Sequence, residues 1–285
     1  MKLPRNPLLV VGISIPLGLL IAALGIFPWS FLAQLNARFW AGTPWCMPLG
    51  LGWLALFLAY LNGRGWPRAS APTRKQLLRA RPVHGPTLIW ACIAGATGLV
   101  TLVTLYFVAI QFVNLPPSAF RPRSVGMVST FVIVPIMLTN AIVAGVAEEA
   151  AYRGYMQGML ERRFNRAVAV GLVTVVFTGL HLLGGAKFFP LAIPVCAASI
   201  VLGALTANTG SIIPAIVVHV LTDAVTLPFE WGLLGPFPIG RFRVTGMDPW
   251  LITAVVIVIV GSFGTVGALL RLRELVHSRS SPRSA

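Results

Sequence analysis

Val146-Ala147-Glu148-Glu149-Ala150-Ala151-Tyr152-Arg153 places two carboxylates and a guanidinium directly after residues 125–147, which carry no charge. Two of the seven acidic residues in the chain stand here. Three further ionisable groups lie in apolar surroundings: His181 at the end of Phe177-Thr178-Gly179-Leu180-His181, and His219 and Asp223 in His219-Val220-Leu221-Thr222-Asp223. Ionisable groups at membrane depth are costly and are functional-site hypotheses by default. Glu149 and Arg153 are i,i+4 on a helix, with the acid on the favoured N-terminal side, so they can neutralise one another. Glu148 points about 100° away and lacks such a partner. An unpaired carboxylate in a low-dielectric site suits general-base work. Glu149–Arg153 is therefore expected to be structural and Glu148 chemical, aimed at His181.

The elements that position these groups are membrane helices. The chain has 285 residues, 56% hydrophobic and 10% charged, against about 25% charged in a soluble domain. This predicts an all-α, polytopic helical bundle. Spanning runs need about 20 residues, and eight candidates are read: Leu8–Leu32, Trp45–Leu61, Thr87–Phe112, Met127–Val146, Ala167–Leu183, Phe189–Thr206, Ile212–Phe229 and Trp250–Leu270. The first, behind Lys2 and Arg5, is read as a retained transmembrane helix. The organisation expected is residues 1–126 as three N-terminal helices with a basic cytoplasmic loop, 127–230 as the catalytic core, and 231–285 as a last helix and basic tail. Asn62–Gly85 reads as a polar loop and Ser278–Ala285 as a disordered tail.

The net charge of +15 sits between and beyond the apolar runs, as juxtamembrane anchors do, so nucleic acid is not an expected partner. With the N-terminus inside, fifteen basic residues fall on the inner face and six on the outer, Lys187 among them, with Arg153 set aside. Both termini are thus expected in the cytoplasm of a multi-pass plasma-membrane protein. Cys46, Cys92 and Cys196 form no metal motif or disulfide framework and read as small membrane-buried hydrophobes. His84, His277, Glu230 and Asp248 read as surface residues.

Depth brings the ionisable groups to one layer. At 1.5 Å per residue, Glu149 lies about 20 Å from Arg162, and His181 about 22 Å from Arg166. From Ser211, His219 is about 12 Å deep and Asp223 about 18 Å. His219 and Asp223 share a helix face at i,i+4, as do Phe177 and His181. A single helix from Met127 to Glu161 would be about 52 Å long, beyond a hydrocarbon core of about 30 Å. A kink near Pro135, or a tilted or interfacial Ala150–Glu161, is the expected resolution.

Glu148-Glu149-x-x-x-Arg153, Phe177-x-x-x-His181 and His219-x-x-x-Asp223, in that order, resemble the CPBP family: the CAAX proteases, bacteriocin-processing and abortive-infection proteins. Leu202-Gly203, Thr209-Gly210-Ser211 and Pro214 resemble the family's third-motif region. The likeness covers roughly Thr130–Phe229. It implies a cofactor-free, glutamate-type intramembrane endopeptidase in which Glu148 and His181 activate water while His219 and Asp223 stabilise the oxyanion, with Glu149, Arg153 and Phe177 supporting them. Its implied partners are a protein or peptide substrate and the lipid bilayer. Substrates range over prenylated C-terminal tails, pheromone or bacteriocin leaders and sorting tails, in a bacterial setting. The family often has Asn where this chain has Asp223. An ionised Asp cannot donate to an oxyanion, so Asp223 is expected either to be protonated or to orient and charge His219. Two other classes compete. Two His and two carboxylates can hold a divalent ion for metal-dependent hydrolysis, although no His-Glu-x-x-His segment is present. Intramembrane His and Glu also suit a non-catalytic immunity or partner-binding protein, or a proton-coupled transporter.

Overall fold

The computed structural model describes residues 6–113, 128–183, 189, 191–234, 240 and 242–280. Lys187, the tail beyond Ser280 and the side chain of His277 lie outside the described residues. The described chain is an all-α bundle. Its elements are α1 Pro7–Phe39, α2 Cys46–Leu61, α3 Ala71–Leu78, α4 Gly85–Ile110, α5 Thr130–Glu148, a π segment Glu149–Met156, α6 Gln157–Leu160, α7 Arg166–Leu182, α8 Ala192–Thr209, α9 Ile213–Glu230, α10 Phe242–Thr245 and α11 Pro249–Ser280. Among the described residues, six helices are long and apolar enough to cross a membrane, and two shorter apolar ones, α2 and α7, accompany them. These eight helices correspond to the eight runs read from sequence. Helices suit this setting because lipid offers no partner to a backbone N–H or C=O. Large apolar side chains such as Phe131, Val175 and Phe263 point outward, off the bundle.

Local chemistry sets several ends. Asn6 caps α1 by accepting from the Leu8 N–H at 2.9 Å, and Asn165 caps α7 through the Val168 N–H at 2.9 Å. Gly210 ends α8 at φ 68°, a left-handed position that suits glycine. Other boundaries differ from expectation. The first helix continues past Leu32 to Phe39, and the last past Leu270 to Ser280, so the expected tail begins as helix. Hydropathy marks where lipid can sit, whereas a helix continues until capping or turn chemistry stops it.

The long-helix problem resolves differently from a break at Pro135. The chain stays helical from Thr130 to Leu160, with the register widening into the π segment at Glu149. All eight residues of that segment are buried. It is enclosed by protein, with α1, α3 and α7 packed against it. Glycines allow the close approach. A Cβ at Gly18 would lie 2.6 Å from the Met156 Cε, one at Gly25 2.6 Å from the Ala147 Cβ, and one at Gly154 3.1 Å from the Leu77 and Leu78 carbonyls.

The stretch expected as a polar loop is the second correction. It contains α3, whose Arg74, Leu77 and Leu78 are buried. Arg74 donates to the carbonyls of Tyr60 (2.9 Å), Arg64 (2.9 Å), Gly65 (3.3 Å) and Pro67 (3.2 Å) and to the Ser70 hydroxyl. Its guanidinium stacks on the Tyr60 ring at 4.2 Å. Arg79 pairs with Glu161 at 2.9 Å. Two cations counted as membrane anchors therefore hold a small helix over the end of the site helix. One apolar core joins residues of α1, α2 and α3 to α5, the π segment and α7.

Candidate active site

Glu149 starts the π segment, and its side chain has no exposed surface. The Arg153 Nη1 lies 3.0 Å from its Oε1. Arg153 is equally buried, with its guanidinium 4.6 Å from the Phe177 ring centroid and its Nη2 donating to the Ser199 carbonyl at 3.5 Å. A buried charge pair of this kind needs its neighbours, because either ion alone would be stranded in low dielectric.

The same Glu149 Oε1 takes a second partner, His219 Nδ1, at 2.8 Å. Because this oxygen belongs to a carboxylate paired with arginine, Nδ1–H is the donor. That fixes the ring, and its Nε2 faces two further carboxylate oxygens: Glu148 Oε2 at 3.8 Å and Asp223 Oδ2 at 3.8 Å. Both spacings exceed hydrogen-bond length. His219 therefore bridges a dry pair on one side and two partly accessible carboxylates on the other. The side chains of Glu148 and Asp223 keep 16% and 25% of their exposure.

His181 occupies the facing wall. Its Nδ1 sits 2.8 Å from the Phe177 carbonyl. A carbonyl only accepts, so Nδ1 carries the proton and Nε2 of the neutral ring is an acceptor. Phe177 packs between the groups: its centroid is 4.6 Å from the His181 ring, 6.4 Å from the His219 ring and 5.1 Å from the Tyr152 ring. His181, His219 and Asp223 line a common cavity of about 220 Å³, with apolar walls that include Leu102, Leu191 and Leu202.

Of the polar groups expected to converge from three helices, Glu148, Glu149 and Asp223 gather around His219, while His181 shares a cavity with His219 and Asp223. No hydrogen bond or ion pair joins Glu148 to His181; the nearest ionisable partner of Glu148 is His219. The cause is the close crossing of α5 and α9. A Cβ at Gly145 would lie 2.7 Å from the Val220 Cγ2, and this approach brings His219 against both glutamates. Helix spacing gave depth but not azimuth, so it did not show this.

Sequence reasoning also missed the far end of the cavity. Glu230, expected at the surface, is half-buried and accepts from the Tyr106 hydroxyl at 2.7 Å, and both residues line the cavity. Asp248 accepts from the Leu251 N–H at 2.8 Å at the start of α11. The signal available for Glu230 was only an acid at a helix end, which most often means solvent. His84 is exposed. The cysteines are free; Cys46 is buried, but Cys92 sits on the outside of the bundle. Among the described residues, no group of three His, Cys, Asp or Glu side chains is arranged to hold a metal ion.

Residues 128–225 match the family model described as type II CAAX prenyl endopeptidase Rce1-like. The matched segment is roughly a third of the chain and contains Glu148, Glu149, Arg153, Phe177, His181, His219 and Asp223. It agrees with the resemblance carried by the three motifs. No curated protein and no solved structure matches the chain. A multi-pass membrane protein of the protease kind is the coarse function that the match and the apolar helices support together.

Proposed function

We propose that the chain is a glutamate-type intramembrane endopeptidase. It hydrolyses a peptide bond near the C-terminus or leader of a membrane-associated protein or peptide. The observation that carries this reading is the bridging of His219: Nδ1 held by the dry Glu149–Arg153 pair, Nε2 turned towards Glu148 and Asp223. That ring is preorganised without consuming the two partly accessible carboxylates, Glu148 and Asp223.

In this reading Glu148 and the Nε2 of His181 hold a water. Glu148 takes its proton as the water oxygen bonds to the scissile carbonyl carbon. The carbonyl oxygen gains the negative charge, and a protonated His219 Nε2 donates to it. Preorganised donors aimed at developing charge are commonly the largest single contribution in such steps. The C–N bond then breaks, and the proton held by Glu148 passes to the leaving nitrogen. Asp223, 3.8 Å from the same Nε2, adds negative charge that favours the protonated ring.

The test is Glu148→Ala in the full-length chain expressed in membranes, with new protein termini in the membrane fraction read by mass spectrometry. Loss of the cleavage products at normal protein level is the expected result; unchanged products would sink the proposal. The metal-dependent alternative predicts that activity disappears with a chelator and returns with a divalent ion, whereas the reaction above proceeds in chelator.

A further inference from the structure

A second concavity lies away from the catalytic cavity, among α7, α8 and α11, with a volume of about 1020 Å³. Its residues sort by depth. Arg166 at the start of α7, Asn208 near the end of α8 and Arg273 on α11 stand at one end. Gly171 lies five residues beyond Arg166, and Val266 seven residues before Arg273. At 1.5 Å per residue these are about 8 Å and 10 Å further along the bundle. There the lining is aliphatic, with Ile200 and Val266 exposed on the outside of the bundle. The groove is open at Gly171, where an added Cβ meets nothing within 4 Å.

The charge at the mouth is positive. The one carboxylate lining the groove, Glu161, is already engaged by Arg79 at 2.9 Å and by the Gln157 amide at 2.8 Å. Two exposed guanidiniums, Arg166 and Arg273, thus stand over an apolar trough that opens towards lipid. Guanidinium matches phosphate oxygens in charge and geometry. Basic pockets between transmembrane helices are suited to anionic head groups.

We propose that this groove is a binding site for one anionic phospholipid, its phosphate at Arg166 and Arg273 and an acyl chain along α8 towards Ile200. A soluble phosphate would gain the cations but not the trough, and a zwitterionic lipid the trough but less of the charge. The bound lipid also braces the site from behind. Ile200 and Ala204 face the groove, while the carbonyl of the adjacent Ser199 holds Arg153.

The experiment uses the full-length protein in neutral detergent, with unfolding followed by tryptophan fluorescence. Phosphatidylglycerol is expected to raise Tm by several degrees, with phosphatidylcholine of the same chains and inorganic phosphate each giving only a small part of that shift. Arg166→Gln with Arg273→Gln removes the shift, whereas Arg271→Gln, which alters a surface pair with Glu274 outside the groove, keeps it. Gly171→Leu adds an apolar side chain to the trough at a position where a Cβ meets nothing within 4 Å, so it tests the site even if the double variant is unstable; it too removes the shift. Equal shifts from both lipids, a full shift from phosphate alone, or a full phosphatidylglycerol shift in Gly171→Leu would overturn the proposal. None of these outcomes depends on whether the chain cleaves peptides.

Discussion

Glu148 and Glu149 are neighbours in sequence and opposites in setting. Glu149 has no exposed side-chain surface, an arginine at 3.0 Å and a histidine at 2.8 Å. Glu148 keeps 16% of its surface, has no partner within hydrogen-bond length, and meets His219 only at 3.8 Å. One residue of helix rotation is enough to move a carboxylate from a dry, charge-neutralised core to a partly accessible position beside His219. The difference assigns energy rather than importance. Glu149 carries the organisation of the site, because removing it would strand Arg153 and release His219. Glu148 has no such commitment, and in the proposed reaction it is the residue that takes up the proton.

The sharpest way to test this division is to neutralise each member without changing its shape. Glu148→Gln is expected to lower cleavage by about 10²–10⁴-fold, the usual worth of a general base, while the melting temperature stays at the parent value. Kinetics and thermal unfolding on the same preparation check both halves, and an equal loss of stability in Glu148→Gln would erase the distinction.

Arg153→Met attacks the other side. It leaves the Glu149 charge buried without its cation, which costs about 3–5 kcal/mol when a buried pair is broken from one end. The expected readout is a large fall in Tm and in membrane abundance. A variant that keeps parental stability but loses activity would show that Arg153 belongs with the chemistry.

Gly25→Leu probes how the two sides are held apart. Its Cβ would lie 2.6 Å from the Ala147 Cβ, next to Glu148. Overpacking of this kind costs about 1–3 kcal/mol, and the displaced helix carries Glu148 with it. Both Tm and cleavage should fall, each less than in the preceding variants. Gly12→Leu, on the same helix with open space around it, should change neither.

That contrast between Gly12 and Gly25 shows where reading the sequence stopped. The apolar runs made the bundle legible, and the isolated ionisable groups made the site legible, because lipid tolerates neither exposed backbone nor unpaired charge without a reason. Contacts between helices were not legible. α1, which carries no motif, packs against the site helix through Gly18 and Gly25, and Trp29 donates to the Asn140 Oδ1 at 3.0 Å. Arg74 and Arg79 had the composition of membrane anchors, but they are committed to carbonyls and to Glu161. A basic side chain in a polar loop carries the same signal whether it faces water or holds a helix down. The azimuth of His219 depended on the Gly145–Val220 crossing, which no spacing within a single helix encodes.

Asp223→Asn carries the smallest expected effect and bears most directly on how far the charge on the open side matters. Asp223 keeps 25% of its side-chain surface, and its Oδ2 is 3.8 Å from His219 Nε2. Asparagine in the same rotamer still offers an oxygen to that ring and adds an N–H₂ that can donate into the cavity. If orientation of His219 is the main requirement, the amide supplies it, because Glu149 already holds Nδ1 at 2.8 Å. Cleavage should then remain within about tenfold of the parent, about 1.4 kcal/mol in barrier, with Tm unchanged, while Asp223→Ala loses more. A loss in Asp223→Asn as deep as that of Glu148→Gln would mean that the carboxylate charge itself is needed to keep His219 protonated. The chemical side of the site would then contain two indispensable acids, and the contrast drawn from Glu148 and Glu149 would have to be redrawn between Asp223 and Glu149.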